Sequence, residues 1–284
     1  MSHVLVSGYG VMTRGIIPHL VQSADISLAL LSRHQTVPPI AGVKSVSWEY
    51  VCDSPPDVIL GCFESDERSK EFWNSPQVKH AVCAVGTSCI EMSTLSHQWA
   101  IEWHSLIAAM GGTSIESPVT GSRVGASNGT LSAFVYESAK DERAVQILNA
   151  FVQNRYDFHE PGNPTLFKLV YNAWGAALLH SLTAFVPTLQ ASLGEDFGVA
   201  AEIVRKDGWM SLVCNSKLGR MTAGKFDDPD FALKHMVKDL RYAHEVLGTS
   251  NDLLNLVYRA FLAAEDLHGG SADYTAVTGQ GDRP

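Results

Sequence analysis

The chain has 284 residues, of which 45% are hydrophobic and 18% charged, so it can bury one large core or two modest ones and is not intrinsically disordered as a whole. The 21 Lys and Arg residues against 30 Asp and Glu residues give a formal net charge of −9, which repels a phosphate backbone. Nucleic acid is therefore not an expected partner, whereas the low charged fraction favours an oligomer.

Metal binding, export and membrane insertion have no clear signal in the sequence. The five cysteines show no zinc-ligand spacing, which is typical of reduced thiols in a cytosolic protein. His97 and His104 lie seven apart with no third ligand evident, so we expect satisfied or solvated side chains and no metal. We find no signal peptide and no run of about 18 uninterrupted apolar residues. We therefore expect a soluble, cytoplasmic protein that has no membrane partner.

Apolar runs alternate with helical or turn-like segments in the first half of the chain. The runs span residues 4–7, 26–31, 43–48, 58–63 and 89–92. This alternation predicts a parallel sheet with crossover helices. Ser96 and the Gly111–Gly112 pair bound a predicted buried helix, and a Gly/Ser-rich loop at 120–130 leads into a predicted strand at 131–136.

Helical periodicity replaces the strand signal from about residue 164 to near residue 267. A Pro/Gly-rich stretch at 159–164 marks the change, so we predict domains at 1–160 and 161–284. The apolar segment 165–193 contains Pro187, which predicts a kink or two collinear helices. Asp228 followed by Pro229 predicts the start of a later helix that has one apolar face.

A glycine turn follows the first predicted strand directly and reads GYGVMT at 8–13. The next helix would point its N-terminal amides at an anion. Gly8 permits the tight turn, and Gly10 lets a pyrophosphate approach the backbone next to Val11 and Met12. Thr13 takes the place of a third glycine and should hold the helix slightly away from the strand. The position of the turn favours a dinucleotide site over an ordinary tight turn.

The end of the second predicted strand indicates which dinucleotide would bind. An acidic residue there would bind the ribose hydroxyls of NAD, but this chain has Ser32 and Arg33. A hydroxyl and a guanidinium suit a 2′-phosphate, so we expect NADP(H). The alternative is that Arg33 is a solvated loop residue.

Five short motifs follow one another along nearly the whole chain. They are GYGVM at 8–12, MST at 92–94, ESPVTGS at 116–122 continued by GA at 125–126 and GTL at 129–131, GNPTLFKLVYN at 162–172, and VKDL at 237–240. In this order they resemble GxGxM, DMST, DAPVSGG…GA…GTL, GxGxxxKxxNN and KDL of the β-hydroxyacid dehydrogenase family. That family includes 3-hydroxyisobutyrate dehydrogenases and semialdehyde reductases, and imine reductases share its architecture more distantly.

The resemblance implies an α/β, Rossmann-type N-terminal domain, an all-α C-terminal domain with a long interdomain helix, and an active site in the cleft between them. The family lysine that matches Lys168 is the general acid/base, and the asparagine that matches Asn172 orients the substrate. The family's substrate-carboxylate loop matches Thr120, Gly121 and Ser122, and its cofactor contacts include the positions of Thr94 and Lys238.

The residues around this lysine are aromatic. Lys168 and Asn172 are four apart, so one helix face can present an ammonium and an amide to one carbonyl group. Burial among Phe167, Tyr171 and Trp174 should lower the lysine pKa. In the carboxylate loop, Thr120 replaces the family's serine and Ser122 replaces a glycine. Together with the aromatic residues, and with Trp174 as a substrate contact, these changes suggest a substrate that is larger or less polar than 3-hydroxyisobutyrate.

These observations predict an NADPH-dependent reductase of a small carbonyl compound, a semialdehyde or keto acid, or the reverse oxidation of a hydroxy acid. An imine reductase is the first alternative, although those enzymes generally carry Asp or Tyr in place of Lys168. A nucleotide-binding module without catalysis is the second, although such modules typically lose the lysine. The apolar segment 165–193 further predicts a homodimer or a dimer of dimers.

Overall fold

The computed structural model describes residues 2–23, 25–32 and 39–277. Two compact units make up the chain, Met1–Lys168 and Leu169–Pro284. The first is an α/β unit built on one sheet and the second is formed by helices, which confirms the predicted fold class. The division falls inside a long helix, somewhat after the boundary predicted at residue 160.

The sheet of the first unit has the strand order expected of a dinucleotide-binding domain. Its strands are β1 Ser2–Ser7, β2 Ile26–Leu31, β3 Val43–Val46, β4 Val58–Gly61, β5 Ser88–Glu91, β6 Thr113–Glu116, β7 Val119–Thr120, β8 Leu131–Glu137 and β9 Val152–Asp157. They are arranged as β3-β2-β1-β4-β5-β6-β8-β7, and β9 pairs with β8. Strands β1 to β6 are mutually parallel where they pair, whereas β8 runs antiparallel to β6 and β7. The direction of the strand order reverses between β1 and β4.

Helices connect the strands of the first unit, and only helices and 3-10 turns follow β9 in the described part of the chain. Those of the first unit are α1 Val11–Val21, α2 Trp48–Asp53, α3 Asp66–Trp73, α4 Pro76–Val85, α5 His97–Ala109, α6 Ser122–Asn128 and α7 Glu142–Asn149. Helix α8, Asn163–Leu193, begins in the first unit and continues in the second. The second unit adds α9 Phe197–Lys206, α10 Ser211–Ala223, α11 Leu233–Leu247, α12 Asp252–His268 and 3-10 turns at Gly194–Asp196 and Tyr274–Ala276.

Both faces of the parallel sheet are buried. Val4 and Val6 of β1 pack in one apolar cluster with Ile16 of α1, whereas Leu5 packs in a second cluster with Trp103 of α5. A strand that is covered on both sides needs apolar residues at successive positions, which explains the continuous apolar runs of the sequence. The second unit has its own apolar core, contributed by α8, α10, α11 and α12.

Three local predictions were wrong or incomplete. The run at 43–48 ends as a strand at Val46, because Ser47 takes the N-cap position of α2. The stretch at 120–130 is not a loop throughout, since it contains α6, whose Ala126 is buried. The pair Asp228 and Pro229 does not start α11, which begins at Leu233. There the backbone N–H groups of Asp230 and Phe231 donate to the Asp273 carboxylate instead of entering a helix.

The segment 165–193 does not form two collinear helices. It belongs to one helix, α8, which contains Pro187. With the turn and helix that follow, it forms a helical stretch, Asn163–Lys206, that is long and apolar enough to cross a membrane. The sequence test required uninterrupted apolar residues and therefore did not find it. A core helix of a soluble protein passes the same length and composition test, so this single stretch is weak evidence for a membrane span.

Helices α1 and α6 pack closely at Gly15. A Cβ atom added to Gly15 would lie 2.7 Å from the Ala126 Cβ and 2.9 Å from the Ser127 backbone nitrogen. Thr13, at the position of the third motif glycine, is buried, and its hydroxyl donates to the Gly10 carbonyl at 3.2 Å. The close packing of α1 thus occurs at Gly15, two residues after the third motif position. Its partner there is helix α6.

The substitution Gly15→Ala should lower the free energy of unfolding by about 1–3 kcal/mol, because the added methyl group meets backbone atoms that cannot move alone. Urea denaturation would measure the change. Gly219→Ala is the control: Gly219 is an exposed glycine inside α10 with only ordinary contact around an added Cβ, so this change should raise stability by about 0.5–1 kcal/mol. Equal effects of the two substitutions would contradict the packing argument.

Candidate active site

The glycine turn joins the carboxyl end of β1 to the N-terminus of α1. Gly8 has φ +89°, a conformation that favours glycine, and its N–H donates to the Leu31 carbonyl at 2.9 Å. Gly10 is the N-cap of α1 and offers no side-chain cap, and the first turn contains no acidic residue. Val11 is exposed and Met12 half-buried. The amides and dipole of this helix start therefore suit an anion such as a pyrophosphate.

This turn lies at the point where the strand order reverses. Ser7 of β1 pairs in parallel register with Gly61 of β4, so both strands end at the same edge of the sheet. The strands that follow β1 and β4 add to opposite sides of this pair. Ligands of open α/β sheets bind in the crevice that such a reversal leaves at the carboxyl ends of the strands. The geometry of the turn and its position in the sheet thus fit a dinucleotide.

Ser32, Arg33 and Thr94 stay predicted cofactor contacts, and the structure describes the positions of two of them. Ser32 follows β2 and is half-buried, whereas Arg33 lies outside the described residues. Thr94 follows β5 at the same edge of the sheet and is half-buried. Its neighbour Ser93 accepts a hydrogen bond from the Phe63 N–H at 2.6 Å, which ties the segments after β4 and β5 together.

A buried carboxyl group at the end of β5 supports this edge. Glu91 accepts hydrogen bonds from the Ser69 hydroxyl at 2.8 Å, the Trp73 indole at 2.7 Å, and both the N–H and the hydroxyl of Ser93. Burial raises the pKa of the Glu91 carboxyl, against the effect of these hydrogen bonds. Glu91 was not among the predicted site residues, although it stands where the DMST motif has its aspartate.

A second buried carboxylate, Glu116, ends the neighbouring strand β6 and is only 2% exposed. It accepts hydrogen bonds from the Gly162 N–H and the Thr165 N–H, both at 2.8 Å, and from Nε2 of His104 at 2.9 Å. The other ring nitrogen of His104 lies 2.7 Å from the Ser114 hydroxyl. Burial alone would raise the pKa of the Glu116 carboxyl, but these hydrogen bonds outweigh it and hold the pKa below its ordinary value.

The predicted carboxylate loop has an unusual backbone conformation. Thr120 ends β7, Gly121 is the N-cap of α6, and Ser122 is the first residue of that helix. Among the described residues, Ser122 is the only one other than glycine with positive φ, at +56°. The family motif has glycine at this position, and glycine adopts a left-handed conformation without strain. For Ser122 this conformation costs about 1–3 kcal/mol.

The predicted catalytic pair lies on α8. Lys168 is the last residue of the first unit and is 6% exposed. Asn172, in the second unit, is half-buried, and its side-chain amide donates to Oδ2 of Asp239 at 2.7 Å. Because the two residues are four apart on a continuous helix, their side chains leave the same face.

The aromatic neighbours of Lys168 in the sequence are exposed, although Lys168 itself is buried as predicted. Phe167 and Tyr171 are exposed, and Trp174 is 68% exposed. At 3.6 residues per turn these three positions share a stripe that is rotated by about 100° from Lys168. The burial of Lys168 among these three rings stays a prediction. The role of Trp174 in substrate binding stays a prediction.

The late motif contributes an ion pair in the first half of α11. Nζ of Lys238 lies 3.0 Å from Oδ1 of Asp239 and 5.2 Å from the centre of the Tyr242 ring. Asp239 is buried, so one carboxylate contacts both Lys238 and the amide of Asn172. The sequence analysis assigned a role to Lys238 only. The signal for Asp239 was present, since it is the third letter of the VKDL motif.

The histidines and cysteines do not form a metal site in the part of the chain that the structure describes. There, no group of three or more His, Cys, Asp or Glu side chains could hold a metal ion. His104 is satisfied by Ser114 and Glu116, as one of the two sequence interpretations expected.

The comparison with protein families agrees with the turn and the strand order. Residues 3–156 match the family described as the NAD binding domain of 6-phosphogluconate dehydrogenase. The chain belongs to this family. The matched range contains the glycine turn and the reversal of the strand order, and the helical unit follows it.

Individual relatives cover nearly the whole chain. Glyoxylate/succinic semialdehyde reductase 1 of Arabidopsis thaliana is 25% identical over 240 residues, which are 80% of this chain and 81% of the relative. A structure of Psf3 with NADP+ and 2-OPP has a TM-score of 0.78 at 20% identity and covers 96% of this chain and 97% of its own.

A 3-hydroxyisobutyrate dehydrogenase from Salmonella typhimurium has a TM-score of 0.75 at 20% identity and covers 98% of this chain and 99% of its own. Imine reductases from Myxococcus stipitatus share the fold at lower TM-scores of 0.62 and 0.60. These likenesses confirm the fold and the predicted family resemblance, with imine reductases as the more distant members.

The substitution Glu116→Gln should lower the free energy of unfolding by about 1–3 kcal/mol at pH 7, because buried donors lose a charged acceptor. The folded pKa of Glu116 lies below the unfolded value of about 4.3. Its stabilisation is therefore present above that value and lost as the pH falls through the folded pKa. Urea denaturation should show a smaller difference between the two proteins at pH 3 than at pH 7.

The control for this measurement is Glu102→Gln, which removes an exposed carboxylate from α5 and should change little at either pH. A loss of stability in Glu116→Gln that is the same at both pH values would show that the charge of Glu116 does not contribute.

Proposed function

We propose that this chain is an NADPH-dependent oxidoreductase that interconverts a small carbonyl compound, a semialdehyde or keto acid, and the corresponding hydroxy acid in the cytoplasm. The observation that carries the proposal is the start of α1, where an uncapped helix N-terminus follows a glycine turn at the reversal of the strand order. The buried Lys168 in a motif similar to that of the family's general acid supports the reaction class.

The side chains of the chain supply protons and orientation, and NADPH supplies the hydride when bound. Nζ of Lys168 would donate a proton to the oxygen atom that gains negative charge as the carbonyl carbon is reduced. Asp239 fixes the amide of Asn172 by one hydrogen bond, which leaves its second N–H and its carbonyl oxygen to orient the substrate. The backbone of Thr120, Gly121 and Ser122 would hold a substrate carboxylate, with Trp174 as a further contact.

The relatives support a short substrate with an anionic group. One is named for glyoxylate and succinic semialdehyde, and another for 3-hydroxyisobutyrate. All three compounds combine a carboxylate with a carbonyl or hydroxyl group. A panel of glyoxylate and succinic semialdehyde with NADPH, and 3-hydroxyisobutyrate with NADP+, would test the class through the absorbance of NADPH. Reduction of cyclic imines alone would favour an imine reductase, and cofactor binding without any turnover would favour a nucleotide-binding module.

The cofactor preference is the first expected outcome. Charge-assisted hydrogen bonds from Ser32 and Arg33 to the 2′-phosphate, worth roughly 1.5–3 kcal/mol, should favour NADPH over NADH by about one to two orders of magnitude. Arg33→Ala should remove most of this difference in a fluorescence titration of the two cofactors. Arg68→Ala, which removes an exposed arginine from α3, is the control. Equal affinities of the unaltered protein for both cofactors would exclude the assignment.

The role of Lys168 is the second expected outcome. Lys168→Ala should reduce kcat by about 10²–10⁴-fold and leave NADPH affinity nearly unchanged, because only the proton transfer is lost. Single-turnover hydride transfer to succinic semialdehyde, measured beside a cofactor titration, separates the two quantities. Lys206→Ala, at an exposed lysine of α9, should change neither. Turnover that survives Lys168→Ala within a few-fold would require another proton donor.

Assembly is the third expected outcome, and we propose a homodimer or a dimer of dimers. Helix α8 carries a stripe of exposed large apolar side chains, namely Phe167, Tyr171, Trp174, Leu178, Phe185, Leu189 and Leu193. A continuous apolar stripe on a soluble protein indicates an interface. Light scattering at micromolar concentration should give a dimeric or tetrameric mass, and Phe185→Asp should shift it toward the monomer. Leu267→Asp, at an exposed leucine of α12, should not. A monomeric mass for the unaltered protein would contradict the proposal.

A further inference from the structure

The first turn of α8 cannot cap itself. Gly162, which precedes the helix, has no side chain to accept a hydrogen bond, and Pro164 has no N–H to donate. The N–H of Asn163 donates to the Glu160 carbonyl at 3.3 Å. The remaining N–H of this turn, that of Thr165, is buried and donates to Glu116, a residue 49 positions earlier on β6. The sheet therefore supplies the cap that the helix lacks.

Helix α5 fixes the other side of this cap. Nε2 of His104 lies 2.9 Å from the Glu116 carboxylate, and the Ser114 hydroxyl on the second ring nitrogen holds the imidazole in place. In the neutral ring this requires a proton on Nε2, with Nδ1 accepting from the hydroxyl. The α5 side chains also leave no room at the helix start, because a Cβ atom at Gly162 would lie 2.9 Å from both His97 Nε2 and Ile101 Cγ1.

Lys168 lies one turn after Thr165 on this helix. Both side chains are buried, and positions three apart lie on the same face, so a shift of the first turn would move Lys168 with it. We propose that Glu116 and His104 are positioning residues for Lys168, since they hold the turn that places its ammonium group. The inference rests on the proposed function, in which that ammonium group is the proton donor. A misplacement of about 1 Å at such a group can cost about 10²-fold in rate.

The test uses the 284-residue chain with NADPH and two readouts that need no substrate. Hydrogen exchange follows the amides of Gly162 and Thr165. The ¹³C resonance of the lysine Cε, in protein grown on [ε-¹³C]lysine and assigned through Lys168→Arg, reports the surroundings of Lys168. In Glu116→Gln, exchange of the Thr165 amide should rise by about tenfold, as for the loss of a helix cap, and the Lys168 resonance should shift.

Asp141→Ala is the matched control, because Asp141 caps α7 by accepting from the Arg143 N–H at 2.8 Å and that helix carries no predicted site residue. It should speed exchange in α7 and leave the Lys168 resonance unchanged. His104→Ala should repeat the effects of Glu116→Gln, and His104→Gln, which keeps an N–H donor, should restore them in part. These two variants decide the question if Glu116→Gln does not fold.

A Lys168 resonance that stays unchanged in the Glu116 and His104 variants would overturn the inference, even if exchange at Thr165 rises, because the cap would then be only structural. Kinetics with succinic semialdehyde provide the second criterion, since kcat should fall by about 10–100-fold in Glu116→Gln while the KM for NADPH stays within twofold. Failure of the proposed function is a different result. In that case Lys168→Ala retains turnover, or no compound of the panel reacts, while the resonance still shifts.

Discussion

The burial of the parallel sheet on both faces determines where polar chemistry can occur in the first unit. Side chains along β1 point alternately into two apolar clusters, so a charged group in the middle of a strand would be desolvated on either face. Polar groups gather instead at the carboxyl ends, where Ser7, Glu91 and Glu116 close their strands. The glycine turn, the half-buried Thr94 and the cap of α8 all depend on this arrangement.

The two glutamates at neighbouring strand ends show how similar burial can accompany pKa shifts in opposite directions. Glu91 and Glu116 are partners in the parallel register of β5 and β6. Burial raises the pKa of the Glu91 carboxyl, whose donors are hydroxyls, an indole and one backbone amide. Burial opposes ionisation of Glu116 too, but two amides at a helix start and the His104 ring lower its pKa. The donors around each carboxyl group, and not burial alone, therefore decide the direction of its pKa shift.

Local sequence patterns predicted the features that local physics controls. The apolar runs identified the parallel strands, the turn at Gly8 and Gly10 identified the dinucleotide site, and Ser96 identified the start of α5, where its hydroxyl accepts from the Trp99 N–H. The partners of Glu116 and Asp239 could not be predicted, because they come from 46 and 67 residues away and depend on the tertiary fold. The predicted start of α11 was wrong for the same reason, because the backbone N–H groups before the helix donate to the distant Asp273 carboxylate.

The left-handed conformation of Ser122 limits how the loop before α6 can be altered, in evolution or by engineering. Asparagine, aspartate and glycine adopt this conformation most readily, whereas branched or bulky residues strain it. Position 122 therefore accepts a narrow chemical range of side chains. Thr120 ends a strand and carries no such restriction. New substrate preferences in this loop should consequently arise through position 120, with position 122 preserving the shape on which they are built.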